Sequence, residues 1–256
     1  MSIDNREAFL SAFRFNSSLR GYAGVERERF LVDKESGLFV PRSPEFLDRM
    51  SSAWTHEFSA CMVEDRTPPL LSDVDIRSAL VSNDEEGRAR ATALGLRLIA
   101  CEVAPANIPT DVYPSEPRYQ RIRAASSTAQ LAVGHRIAGT HVHRGVADWD
   151  EALRVYNALT RRWRQLAAMG DSSDGERLRM FGIVVPDAEP MEFGSVEALV
   201  SHAAGKGFLT NPRNGWHGWV RISIHGTVEV RTFGSTENVE KVMSWVAAVR
   251  AIADAA

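Results

Sequence analysis

Four short stretches of this chain share one pattern. Glu26 and Glu28 in GVERERF, Glu64 and Arg66 in MVEDR, His141 and His143 in GTHVHRG, and Glu229 and Arg231 in TVEVR each place two ionisable side chains at alternate positions of a short run. Successive strand side chains alternate faces, so residues i and i+2 project together. Val25, Val63, Val142, Val228 and Val230 then fall on the opposite sides, the mark of half-buried antiparallel strands. The polar faces either line solvent or converge on one site. A solvent face would draw on Lys, Thr, Ser and Gln, whereas these strands offer only carboxylates, imidazoles and guanidiniums, the groups that bind metal ions and phosphate.

Glu26 and Glu28, about 7 Å apart on one strand face, repel by about 2 kcal/mol at an effective dielectric near 20. Something cationic must offset this, and Arg66, Arg231 or a divalent ion could do so. Many hard oxygen ligands favour Mg²⁺ or Mn²⁺ over a structural zinc, which prefers thiolate and imidazole. The two cysteines, Cys61 and Cys101, sit in apolar segments without C-x-x-C spacing and are expected to be reduced core residues. The strands therefore predict a cation site built on a sheet.

With 256 residues the chain buries enough apolar surface to fold without disulfides, and it shows no internal repeat or low-complexity segment; a single domain over 1–256 is expected. A net charge of −3, from 30 basic and 33 acidic residues, supplies no basic field, so nucleic acid is not an expected partner. The charged start MSIDNREAFLSAF is unlike a signal peptide and no apolar run reaches spanning length, so no membrane partner and a cytoplasmic location are expected.

The elements read as a mixed α+β chain. Strands are expected over 24–33, 58–69 (stopped by Pro68 and Pro69) and 139–146, with SGLFVP as a turn and second strand. Ser72, with Asp75 three residues on, caps one long or two consecutive helices carrying Val74, Ile76, Leu80, Ala93, Leu94, Leu96, Leu98 and Ile99. Asp148 and Glu151 cap a helix whose stripe runs Ala152, Leu153, Tyr156, Leu159, Trp163 and Leu166; residues 170–179 read as a mobile polar loop. Near the end, a three-residue turn His225-Gly226-Thr227 would pair Ile224 with Val228 and Arg221 with Arg231. A last helix, capped near Ser235, carries Val242, Trp245, Val246, Val249 and Ile252, expected to pack on the sheet rather than to dimerise, which leaves a homo-oligomer open.

With these residues in place, the sequence resembles the carboxylate–amine ligases related to glutamate–cysteine ligase, within the glutamine synthetase-like superfamily. GVERERF is similar to that family's G-V-E-x-E, MVEDRTPP to its E-x-R-T-P-P, AGTHVHRGV to its G-T-H-V-H-x-G and TVEVRTF to its T-x-E-x-R, in the family's order over residues 24 to about 233. The resemblance implies a curved, mostly antiparallel sheet with helices on its convex face. It implies that Glu26, Glu28, Glu64, His141 and Glu229 hold Mg²⁺ (or Mn²⁺) bridging the phosphates of ATP. It also implies that Arg231, with His143 or Arg66, touches phosphate or a substrate carboxylate. EPRYQRI is similar to a family Arg-Tyr feature, which makes Arg118 a substrate-contact candidate; as read from the residues, a surface helix arginine serves equally. Arg27, where many relatives carry another acid, is expected on the opposite face. The chain is short for the family, with MGDSSDGERLR where members carry a longer, small-residue-rich segment.

The implied activity joins a carboxylate, such as that of glutamate, to an amine through an acyl phosphate made at the expense of ATP. Amino acid and amine are the expected small-molecule partners. No G-x-S-x-G string and no P-loop string is present, so phosphate binding falls to metal and arginine. Two alternatives stand beside it: a zinc-dependent hydrolase using His141 and His143, and a ligase-like binding module without turnover.

Overall fold

A computed structural model describes residues 3–215 and 217–256; Met1 and Ser2 of the charged start lie outside. Seven strands form one wholly antiparallel sheet: β1 (Ala23–Asp33), β2 (Trp54–His56), β3 (Met62–Arg66), β4 (Leu96–Ile99), β5 (Gly139–Gly145), β6 (Val220–Ser223) and β7 (Thr227–Gly234). Their order is β2-β3-β1-β5-β7-β6, with β4 pairing the far end of β1 beyond β3. The helices are α1 (Ile3–Ser11), α2 (Ser43–Leu47), α3 (Asp73–Ala93), α4 (Pro117–Ala125), α5 (Thr128–Gly134), α6 (Trp149–Gly170), α7 (Glu176–Val184), α8 (Val196–Gly205), α9 (Pro212–Gly215) and α10 (Val239–Asp254). None among the described residues is long and apolar enough to cross a membrane.

Long helices α3, α6 and α10 cover one face of the sheet, and the expected stripes do the covering. Tyr156, Leu159 and Leu166 of α6 and Val242, Trp245, Val246 and Val249 of α10 are buried with Val25, Val142, Val228 and Val230 in one core cluster. Ser72 and Asp148 cap α3 and α6 as expected, their side chains accepting from the amides of Asp75 and Glu151. Cys61 and Cys101 are free thiols, the first buried and the second half-buried.

Beneath α3 this face is charged rather than apolar. Arg27 does point away from the open face, as expected, and is fully buried with Arg29, Asp65 and Asp84 in an ion-pair network, joined by Asn83. Charges so buried persist only when paired.

Several boundaries differ from expectation. Leu96, Leu98 and Ile99 lie in β4, not in a helix, because Gly95 at φ +68° ends α3 and turns the chain back along β1. Phe39 of SGLFVP makes one isolated bridge to Val32 rather than a strand. The last helix is capped by Asn238; Ser235 instead donates its hydroxyl to the Glu28 carbonyl. The terminal hairpin keeps its apolar face but turns on Ile224-His225-Gly226, so Ile222 faces Val228 and Arg221 faces Glu229. A shift by two preserves which face is buried, and it replaces an arginine pair by an ion pair of 2.7 Å.

Candidate active site

The open face of the sheet brings the predicted residues together. The register sets Glu26 beside Arg66 on one side and His141 on the other, Glu28 beside Glu64, and His143 beside Glu229. All of these, with Arg118 and Arg231, line one cavity of about 210 Å³. His141 Nδ1 lies 3.2 Å from Glu26 Oε2 and 3.7 Å from Glu229 Oε1, and its Nε2 lies 3.6 Å from Glu28 Oε1. His143 Nε2 is 3.4 Å from Glu26 Oε2, while its Nδ1 meets Thr227 Oγ1 at 2.9 Å. Arg66 is more loosely held, 3.8 Å from Glu64 and half exposed.

Between His141 and β7 the ladder is interrupted. Arg231 and Thr232 together oppose His141, a β-bulge that keeps both Val230 and Phe233 in the core while aiming Arg231 into the site. The loosened carbonyls are held by Arg177 of α7, whose guanidinium donates to Ala138, Thr232 and Arg231. Arg177 is buried and comes from the stretch expected to be a mobile polar loop. That stretch is instead anchored: Ser172 donates its amide (2.6 Å) to buried Glu102, and Asp171 accepts from the amides of Ser173 and Gly175 before α7 begins.

Charge is divided unevenly across the floor. Burial alone would raise the Glu229 carboxyl, but Arg221 and Arg231, which both contact it, override burial and hold it well below the usual range. Glu26 is likewise held low, against burial, by His143 and His141. Glu28 moves the other way, to about 8, because burial and the charge of Glu57 outweigh Arg231, Arg177 and the Gly139 amide that donates to it at 2.6 Å. Glu64 is raised well above the usual range by burial, then by Glu26, Glu57 and Glu28. His141 is lowered to about 4 by burial and Arg231, leaving a neutral imidazole able to act as a ligand.

Two acids held ionised, two resisting ionisation and a neutral imidazole form a donor set short of positive charge. Among the described residues, three overlapping groups have ligand atoms within 4.8 Å of one another: Glu26, Glu64 and His141; Glu26, His143 and Glu229; Glu28, Glu57 and Glu64. His143 Nε2 is buried without a hydrogen-bond partner. Predominantly carboxylate oxygen with imidazole nitrogen fits Mg²⁺ and, better still, Mn²⁺. Glu57 is the one member absent from the sequence reading. It follows three-residue β2, too short to show alternation, and its neighbour His56 stacks on Tyr113.

Residues 22–256 match the sequence family described as glutamate-cysteine ligase family 2 (GCS2). The chain belongs to that family. A glutamate–cysteine ligase of Haloferax volcanii is 29% identical over 257 residues, covering 91% of this chain and 70% of the relative. A Salinispora arenicola protein provisionally named glutamate–cysteine ligase 2 is 34% identical over 144 residues, covering 55% of this chain and 37% of that protein, so the chain matches little more than a third of that relative's length. Among solved structures, a bifunctional glutathione synthetase from Pasteurella multocida aligns with a TM-score of 0.65 at 12% identity, over 98% of this chain and 40% of that one. That likeness is one of fold, an open antiparallel sheet backed by helices.

Proposed function

We propose that this chain is an ATP- and divalent-cation-dependent ligase that joins the carboxylate of an amino acid such as glutamate to an amine. The observation that carries the reading is the convergence of Glu26, Glu28, Glu57, Glu64, His141, His143 and Glu229 around overlapping ligand triads, with Arg66, Arg118 and Arg231 lining the same cavity. Membership of a family of carboxylate–amine ligases supports it.

In this reading the γ-phosphoryl group of ATP passes to a carboxylate oxygen, leaving ADP and an acyl phosphate. The amine nitrogen then attacks the acyl carbon: a C–N bond forms, the C–O bond to phosphate breaks, phosphate leaves with the electron pair, and the surplus amine proton goes to solvent. Mg²⁺ or Mn²⁺ held by the glutamates and His141 supplies neutralisation of the phosphate charge. Arg231, its guanidinium fixed on Glu229, faces the transferring group; Arg66 and His143 hold phosphate oxygens, and Arg118 takes a substrate carboxylate. No protein nucleophile is needed. The cytoplasm is the proposed compartment, in keeping with free thiols that burial pushes up to about 12 at Cys61 and about 11 at Cys101.

The test is a matrix of acidic amino acids and amines with MgATP, read by coupled ADP detection and by mass spectrometry for the amide. A pair that yields ADP and amide in equal amounts is the expected result. Hydrolysis that needs zinc and no ATP would indicate the His141–His143 hydrolase instead. Tight binding of an ATP analogue with no ADP from any pair would indicate a module without turnover.

A further inference from the structure

On one flank the acidic cluster opens into a second cavity of about 340 Å³. The two spaces share Glu28, Glu57, Arg118, His141 and Arg231, so they are continuous. Away from that shared floor the walls are mostly apolar, with Phe58 and Met62 beside the sheet, Ile122 of α4, Leu131 of α5, and Phe181 and Val184 of α7; Ser126, Gln130 and Arg177 are their polar members. Arg118 stands at the junction. Its guanidinium lies over the Tyr119 ring, 5.3 Å from the centroid, and its Nε is buried with no hydrogen-bond partner. A buried unpaired donor is costly until an acceptor arrives.

We propose that this chamber receives the side chain of the amine substrate, and that the substrate is an α-amino acid with a large apolar side chain, aromatic or branched. The proposal rests on the ligase reading above. Complementarity fixes the orientation: carboxylate against Arg118, whose Nε lacks a partner, and apolar body among Ile122, Phe181 and Val184, which leaves the amino group facing the shared floor. Size fixes the class. A space of this volume holds on the order of ten waters at about 30 Å³ each, and a mostly apolar wall gives them few partners. A phenyl or isobutyl group displaces most of them, whereas a methyl or thiol side chain leaves the chamber wet. The nucleotide need not compete, because the opposite flank carries a larger cavity of about 540 Å³ that shares Glu26, Arg66 and His143 with the cluster.

The experiment compares L-phenylalanine and L-leucine with L-alanine and glycine as amine substrates, using MgATP and the panel of acidic amino acids. In parallel, calorimetry measures L-phenylalanine binding in the presence of Mg²⁺ and a non-hydrolysable ATP analogue. The large side chains are expected to give kcat/KM at least tenfold above L-alanine. Val184→Trp, which fills the chamber, is expected to erase that preference and cut L-phenylalanine affinity at least tenfold, with analogue affinity unchanged; Leu131→Trp serves as a second filling variant should the first fail to fold. Equal kcat/KM for L-alanine and L-phenylalanine, or a preference that survives the filled chamber, overturns the proposal and leaves the ligase reading standing. Loss of analogue affinity in the filled variant also overturns it, by placing the nucleotide in the chamber. If no pair yields ADP the ligase reading fails, and calorimetry decides the chamber alone: binding that Val184→Trp abolishes sustains it, and absence of binding overturns it.

Discussion

A Cβ placed on Gly139 would lie 2.0 Å from Nη2 of Arg177. The guanidinium occupies the space that any other residue at 139 would fill, and from there it spans the Arg231 and Thr232 carbonyls of the β7 bulge and the Ala138 carbonyl just before β5. The same glycine donates its amide to Glu28. One small residue thus ties the buried arginine to two groups of the site.

Gly139→Ala is therefore expected to displace Arg177 and loosen the bulge. Overpacking of this kind costs about 1–3 kcal/mol, which in a chain of this length lowers Tm by roughly 2–4 °C per kcal/mol. Thermal melting measures the loss. Mn²⁺ titration followed by electron paramagnetic resonance should show weakened binding in the same variant, since Glu28 and Arg231 lose their support. Unchanged melting and unchanged Mn²⁺ affinity would contradict this role of Arg177.

Glu28 and Glu229 should respond oppositely to amide replacement. Glu28 holds its proton to about pH 8, and a glutamine can still accept from Gly139, so Glu28→Gln leaves the metal-free fold as stable as before or more so. Glu229 is fully buried between Arg221 and Arg231, and Glu229→Gln removes the negative charge that both arginines contact. Removing one member of a buried ion pair costs about 3–5 kcal/mol. Urea unfolding separates the two, while both variants should lose ligase turnover by at least 100-fold. A destabilised Glu28→Gln or an unaffected Glu229→Gln would show that the charge division is misassigned.

How much of this was legible in the sequence depended on the length of each signal. The i, i+2 pairs on β1, β3, β5 and β7 were legible as one shared polar face because apolar valines marked the other side. Glu57 carried no such mark, lying just past a three-residue strand. Arg177 was hidden in a polar stretch, since nothing in GDSSDGERLR indicates that a guanidinium turns inward beneath a sheet. Leu96, Leu98 and Ile99 form an apolar run that fits helix or strand alike, and only Gly95 pointed to the break. The terminal hairpin kept its face parity, yet its register depended on Arg221 meeting Glu229, a pairing that alternation alone does not select.

The metal-free site should also titrate visibly. Glu28 is raised from its ordinary 4.5 to about 8, and Glu64 is raised too, so folding favours their protonated forms. The stability Glu28 contributes is complete below pH 4.5 and is lost as pH rises through about 8, and that of Glu64 is likewise lost as pH rises. Glu26 and Glu229 are lowered, so their contribution is present above pH 4.5 and is lost as pH falls below it. Tm without metal should therefore decline from pH 6 to 9, and saturating Mg²⁺ should remove the decline. Metal requires ionised carboxylates, so Mn²⁺ binding at pH 7 should release close to one proton from Glu28, with Glu64 adding to it, and Glu28 should release little at pH 9. Calorimetry in two buffers of different ionisation enthalpy reads this directly; no net release at pH 7 would contradict it.

The most direct measurement is a crystal structure with Mn²⁺ and a non-hydrolysable ATP analogue, with the metal located by its anomalous signal. The account predicts manganese bonded to Glu26, Glu28, Glu64, His141 and Glu229, with the triphosphate of the analogue on the same ions and Arg231 beside it. Manganese found elsewhere, or a triphosphate bound away from these side chains, would contradict it.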